Sequence, residues 1–99
     1  MPRKAQTVDA TGDTVVQSIR TILYGYDVSM SSGTEKIDFK DGDRVVFTIE
    51  LYGNHAAGAG GDGSRRMSGL DIPFEEGLTI TRSAAATRTG GGNLIVFYD

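Results

Sequence analysis

The residues able to do chemistry are few and scattered. His55 is the single histidine, the chain has no cysteine, and His55 stands inside GNHAAGAGGDG (53–63), five glycines and three alanines in eleven residues. A metal site or catalytic triad there would need every partner brought from a distance, so His55 reads as a solvated loop residue. No G-x-S-x-G sequence offers a strained serine nucleophile. Asp38, Asp41 and Asp43 are the densest carboxylate group. DFKDGD lacks the D-x-[DN]-x-[DN]-G spacing of a calcium loop and has no later bidentate glutamate; an Asp-Gly hairpin turn explains it better. Glu75 and Glu76 are adjacent and diverge, a poor acid/base pair. GAGGDGS (58–64) is not followed by the lysine of a phosphate loop, nor does it open a helix after a strand. No catalytic residue, metal ligand or cofactor is assigned, and an enzyme is not expected.

Residues suited to binding are easier to name. Arg65-Arg66 is a small basic spot, and Arg3 and Lys4 lie near the start of the chain. Arg65-Arg66 could hold an acidic partner, although two arginines are commonly just surface, and all four are candidate contacts for the capsid or another partner. Tyr24, Tyr26, Tyr52 and Tyr98 would suit a sugar-stacking platform, but Tyr24 and Tyr26 share their phase with Ile22 and Val28 and read as core.

The elements that carry these residues are strands. From Ile22 to Leu51 three runs alternate apolar and polar, in the phases Ile22/Tyr24/Tyr26/Val28/Met30, Ile37/Phe39 and Val45/Phe47/Ile49/Leu51. Turns at Ser31–Thr34 and Asp41–Asp43 separate them. A period of two repeated in consecutive runs predicts antiparallel strands with one buried face. Phe47 is expected at the centre of that face. Thr14–Ile19 is rich in β-favouring residues; a helix from Asp13 to Leu23, capped by Asp13, competes. Arg65–Ile72 is a strand whose phase requires a bulge at Gly69, with Pro73 ending it. Gly77 is expected at positive φ in the corner after Phe74. Leu78, Ile80 and Arg82 share one face of the next strand. Ala84–Gly92 is a hairpin connection. In the last strand Leu94, Val96 and Tyr98 face one way, Ile95 and Phe97 the other.

Ninety-nine residues and fourteen glycines suit one turn-rich domain. The expected fold is all-β, a single antiparallel β-sandwich of six or seven strands with glycine-rich loops, open to jelly-roll connections. Residues 1–12 form an N-terminal arm, frayed or paired with a neighbouring subunit, and 13–99 the domain. A net charge of −3 argues against a nucleic-acid partner. The absence of a long apolar run argues against a membrane helix and for a soluble protein. Leu23, Val46, Ile95 and Phe97 all point away from the central wall. They form a second apolar surface, a candidate interface between copies of the chain.

Four motifs, LYGYDVSMSSGTEKIDFKDG (23–42), VVFTIEL (45–51), IPFEEGLTIT (72–81) and NLIVFYD (93–99), occur in that order. Together they resemble small structural proteins of tailed bacteriophages, over roughly Leu23 to Asp99. Glu76 stands where that pattern often has asparagine, and the Gly53–Gly63 loop is long for it. The resemblance implies a β-sandwich module of the virion, assembled in the host cytoplasm. In first place it implies a capsid decoration (cement) protein that binds the major capsid protein or another virion protein, self-associated as a trimer. Another tail or fibre component is the near alternative. A carbohydrate-binding module using loop aromatics is the alternative from a different class.

Overall fold

The computed structural model describes residues 3–9, 11–28, 33–53, 65–83 and 94–99, with backbone alone for 33–35, 51–53 and 65. His55, the Gly53–Gly63 loop beyond its first residue, Ser31 and Ser32 of the expected Ser31–Thr34 turn and the Ala84–Gly92 connection lie outside the described residues, while Gly33 and Thr34 already belong to a strand. Eight strands are described: β1 (Lys4–Thr7), β2 (Gly12–Gln17), β3 (Thr21–Val28), β4 (Gly33–Asp41), β5 (Arg44–Gly53), β6 (Arg65–Phe74), β7 (Leu78–Arg82) and β8 (Leu94–Tyr98). They form two four-stranded antiparallel sheets, ordered β1-β8-β3-β6 and β2-β7-β4-β5. The chain changes sheet at every connection except β4–β5. That order is a jelly roll, the eight-stranded double-sheet member of the β-sandwiches.

The arm is part of this fold. Lys4–Thr7 pairs with β8, Lys4 opposite Tyr98 and Thr7 opposite Ile95, so it neither frays nor waits for a neighbouring subunit. Val8, where the chain leaves the first sheet, is buried. Its N–H donates to the Leu94 carbonyl at 2.8 Å, and its carbonyl accepts from Arg82 Nη1 at 2.7 Å. Arg82 is itself buried on β7, so this bond ties the two sheets together at one end. The expected face Leu78, Ile80 and Arg82 is wholly buried, as is Leu94, Val96 and Tyr98.

Two bulges correct the phases. In β3, Leu23 is opposite Tyr98 and Gly25 opposite Phe97, so Tyr24 is an extra residue. Tyr26 and Val28 point inward as expected, but Leu23 joins them at 0% exposure, while Ile22 and Tyr24 turn outward, half-buried. On its other side the same step in β3 faces the stretch from Ile72 back to Ser68. There Gly69 (φ 72°) and Asp71 (φ 49°) absorb the expected irregularity. Pro73 does not end β6, which runs on to Phe74; its missing donor is tolerated because β6 is a sheet edge. In β5, Phe39 is opposite Phe47 and Lys40 opposite Val45, leaving Val46 as the extra residue. Val45 is therefore exposed, and Phe47 is only half-buried. The central aromatic is Phe39, fully buried and stacked on Phe47 at 4.4 Å between ring centroids.

Candidate functional site

Most inner-face residues of both sheets form the core, which leaves the outer faces, the ends and an apolar groove between two sheet edges as candidate sites. Residues opposite each other in a ladder share a face. Ala5, Phe97 and Gly25 lie in one row across the first sheet with Ser68. Thr7, Ile95, Asp27 and Arg66 lie in the next. Ile22, Tyr24 and Pro73 extend the same surface. Gly25 has no room for a side chain, since a Cβ there would strike the Met67 carbonyl oxygen. β6 therefore comes close, and a crevice of about 250 Å³ opens above, lined by Arg3, Tyr24, Asp27, Arg66, Ser68 and Phe97 among others.

Charge is placed around that crevice with care. The Arg3 guanidinium lies 4.2 Å from the centre of the Tyr24 ring, a cation–π contact, and among the described residues no carboxylate pairs with it. Arg66 donates from Nε (3.2 Å) and Nη2 (2.9 Å) to Oδ2 of Asp27. The outer face of the second sheet differs. Its central row pairs polar groups with each other: Thr81 Oγ1 donates to Asp13 Oδ1 at 2.6 Å, and Thr48 Oγ1 to Asp38 Oδ1 at 2.7 Å. Lys40 reaches Asp13 at 3.9 Å, and Val15 and Val45 stand exposed at either side.

Of the eight residues the sequence singles out, four meet on the outer face of the first sheet: Arg3, Arg66, Ile95 and Phe97. Leu23 does not, because the Tyr24 bulge turns it into the core. Val46 lies elsewhere, in an apolar groove of about 340 Å³ between the edge strands β5 and β6, with Tyr26, Phe47, Met67, Leu70 and Ile72. Lys4 shares the inner side of its ladder with Tyr98, its ammonium 5.9 Å from that ring. Arg65 sits in β6, and its side chain lies outside the described residues. Tyr24 is the residue that sequence reasoning misplaced; the glycine beside it, inside an alternating run, is the usual mark of a bulge.

One end of the sandwich is acidic. Asp41, Asp43, Arg44, Glu75 and Glu76 surround an open hollow of about 450 Å³. The Asp41 carboxylate accepts the backbone N–H of Glu76 (2.7 Å) and of Glu75 (3.0 Å), with Arg44 Nη2 at 3.3 Å. The Glu76 N–H, ahead of the opposing effect of burial, holds the Asp41 carboxyl below the usual range, aided by the Glu75 N–H and Arg44. Asp41 is thereby a cap for the Glu75–Glu76 corner. Glu75 pairs with Arg20 at 2.8 Å. Asp38 is on the outer face and not with Asp41, so the three aspartates do not converge. Among the described residues no group of three or more histidine, aspartate or glutamate side chains is placed to hold a metal ion, and no helix is long and apolar enough to cross a membrane.

Comparison with family models, with curated proteins and with solved structures finds no match to this chain.

Proposed function

We propose that this chain is a structural protein of a tailed-phage virion. In first place it is a decoration (cement) protein that binds the head through the outer face of its first sheet and works without catalysis or cofactor. The observation that carries the proposal is the contrast between the two outer faces. One has its polar groups satisfied internally along its central row. The other presents Ile22, Tyr24, Ile95 and Phe97 with an arginine that no carboxylate pairs among the described residues, the aromatic-plus-arginine composition of protein contact surfaces. The ordered motifs between Leu23 and Asp99 supply the virion part of the proposal, and a jelly roll is an architecture that viral capsid domains share with lectins. Self-association, as a trimer, and contact with the major capsid protein or another virion protein belong to it.

Mass spectrometry of purified particles from the source should find the chain at a copy number comparable to the shell subunits. Phe97→Asp should remove it from particles while leaving its melting temperature close to wild type. Absence from the particles would overturn the proposal. The outward turn of Tyr24 beside Phe97 favours one second reading, a carbohydrate-binding module. It calls for saccharide titrations that shift Tyr24 and Phe97 ring resonances, an outcome the virion reading does not expect.

A further inference from the structure

The outer face of the first sheet and the acidic end are complementary, and both lie on one chain. We infer that copies of this protein associate head to tail, the crevice of one molecule receiving the acidic end of the next. The inference rests on reading that outer face as a contact surface, and assigns the crevice within it to the next copy of the chain, the remainder of the face being left to the head.

The crevice offers an apolar floor of Tyr24 and Phe97 under the Arg3 guanidinium. Arg3 is held over an aromatic ring, which fixes its direction while leaving its N–H donors free for a carboxylate. The complementary surface needs free carboxylates beside exposed aliphatic side chains. The acidic end has both. Its four carboxylates stand against two guanidiniums, those of Arg44 and Arg20. Asp43 and Glu76 have no cationic partner among the described residues. Val45 (46% exposed) follows Asp43 by two residues. Ile19 (66% exposed) precedes Arg20, which pairs with Glu75 of the acidic end. These are among the most exposed large apolar side chains described. An aliphatic side chain flanked by a carboxylate matches a crevice flanked by a guanidinium.

The two surfaces are different patches, so the contact is heterologous. It closes into a ring or runs on as a filament, and it does not stop at an isologous pair. Charge-reversal variants test this without reference to any particle. Arg3→Glu and the double variant Asp43→Arg, Glu76→Arg are each compared with wild type by sedimentation velocity. All altered positions are exposed, and circular dichroism checks that each variant folds; Arg3→Gln and Asp43→Asn serve where a reversal does not.

Wild type should associate, more weakly as salt is raised, and each charge-reversed variant should associate at least about tenfold more weakly. Mixing the two charge-reversed variants should restore association, because the intact end of one fits the intact crevice of the other. A wild type that stays monomeric up to sub-millimolar concentration overturns the inference. So do variants that associate like wild type, or a mixture that stays monomeric. A monomeric chain that is still found on purified particles would sink the head-to-tail contact and the proposed self-association, and leave only the assignment to the virion standing.

Discussion

Replacing Asp41 by asparagine keeps the side chain's shape and removes its charge. The carboxylate accepts two backbone N–H groups of the Glu75–Glu76 corner from a position only 5% exposed. An amide presents one acceptor oxygen, so one charge-assisted bond becomes neutral and the other N–H faces a donor. Hydrogen bonds to charged groups are worth about 1.5–3 kcal/mol, and a buried donor left unmet costs about 1–3 kcal/mol, so a loss of about 2–4 kcal/mol is expected. The exposed Arg44 contact adds little. For a chain of this size each kcal/mol moves the melting temperature by about 4–8 °C, which puts Asp41→Asn roughly 8–32 °C below wild type at neutral pH. The assay is a series of thermal melts across acid pH. Asp41 titrates lower folded than unfolded. Its contribution is therefore complete above the ordinary carboxylate range and is lost as pH falls through the lowered folded value. The gap between wild type and Asp41→Asn should then narrow toward the acid end. A gap that is absent at neutral pH, or constant with pH, would refute the capping role.

Two further substitutions test the packing and the backbone. Phe39→Ala should cost about 3–5 kcal/mol and Phe47→Ala clearly less, because only Phe39 is fully enclosed; chemical denaturation that ranks them the other way would contradict the β5 bulge. Gly12→Ala meets open space at φ +91° and should lose only about 1–2 kcal/mol from backbone strain. Gly77→Ala at φ +121° also drives its Cβ to 2.5 Å from the Gln17 carbonyl oxygen, so its melting temperature should fall further than that of Gly12→Ala.

The strands that read correctly from sequence are those whose alternation is unbroken. Leu78/Ile80/Arg82 and Leu94/Val96/Tyr98 lie in strands flanked by neighbours on both sides, and their buried faces follow directly from a period of two. The misreadings follow from residues that alternation does not count. Tyr24 and Val46 are each one residue too many for the opposing strand, and each reverses the faces of what lies on one side of it. β1 (Lys-Ala-Gln-Thr) carries no apolar alternation, and the ladder that makes it a strand is formed with β8, some ninety residues away in the chain. The outer face was half legible. Ile95 and Phe97 stood out because an inward-facing set alternates with them, whereas Arg3 over Tyr24 is a contact between distant segments that no local pattern encodes.

The strand order also has a kinetic consequence. Among the described strands only β4 and β5 are ladder partners joined by a tight turn, at Asp41–Arg44. Every other ladder joins strands with at least one other strand between them in the chain, and the β1–β8 ladder spans nearly all of it. Loops of that length must close before any bond in them forms, which places folding in the slow regime of about milliseconds to seconds. The β4–β5 hairpin is the natural starting point. Until Lys4–Thr7 docks, β8 presents an open edge whose outward side chains, Ile95 and Phe97, are also bare. Refolding of this protein should therefore lose yield as its concentration rises, through that open edge.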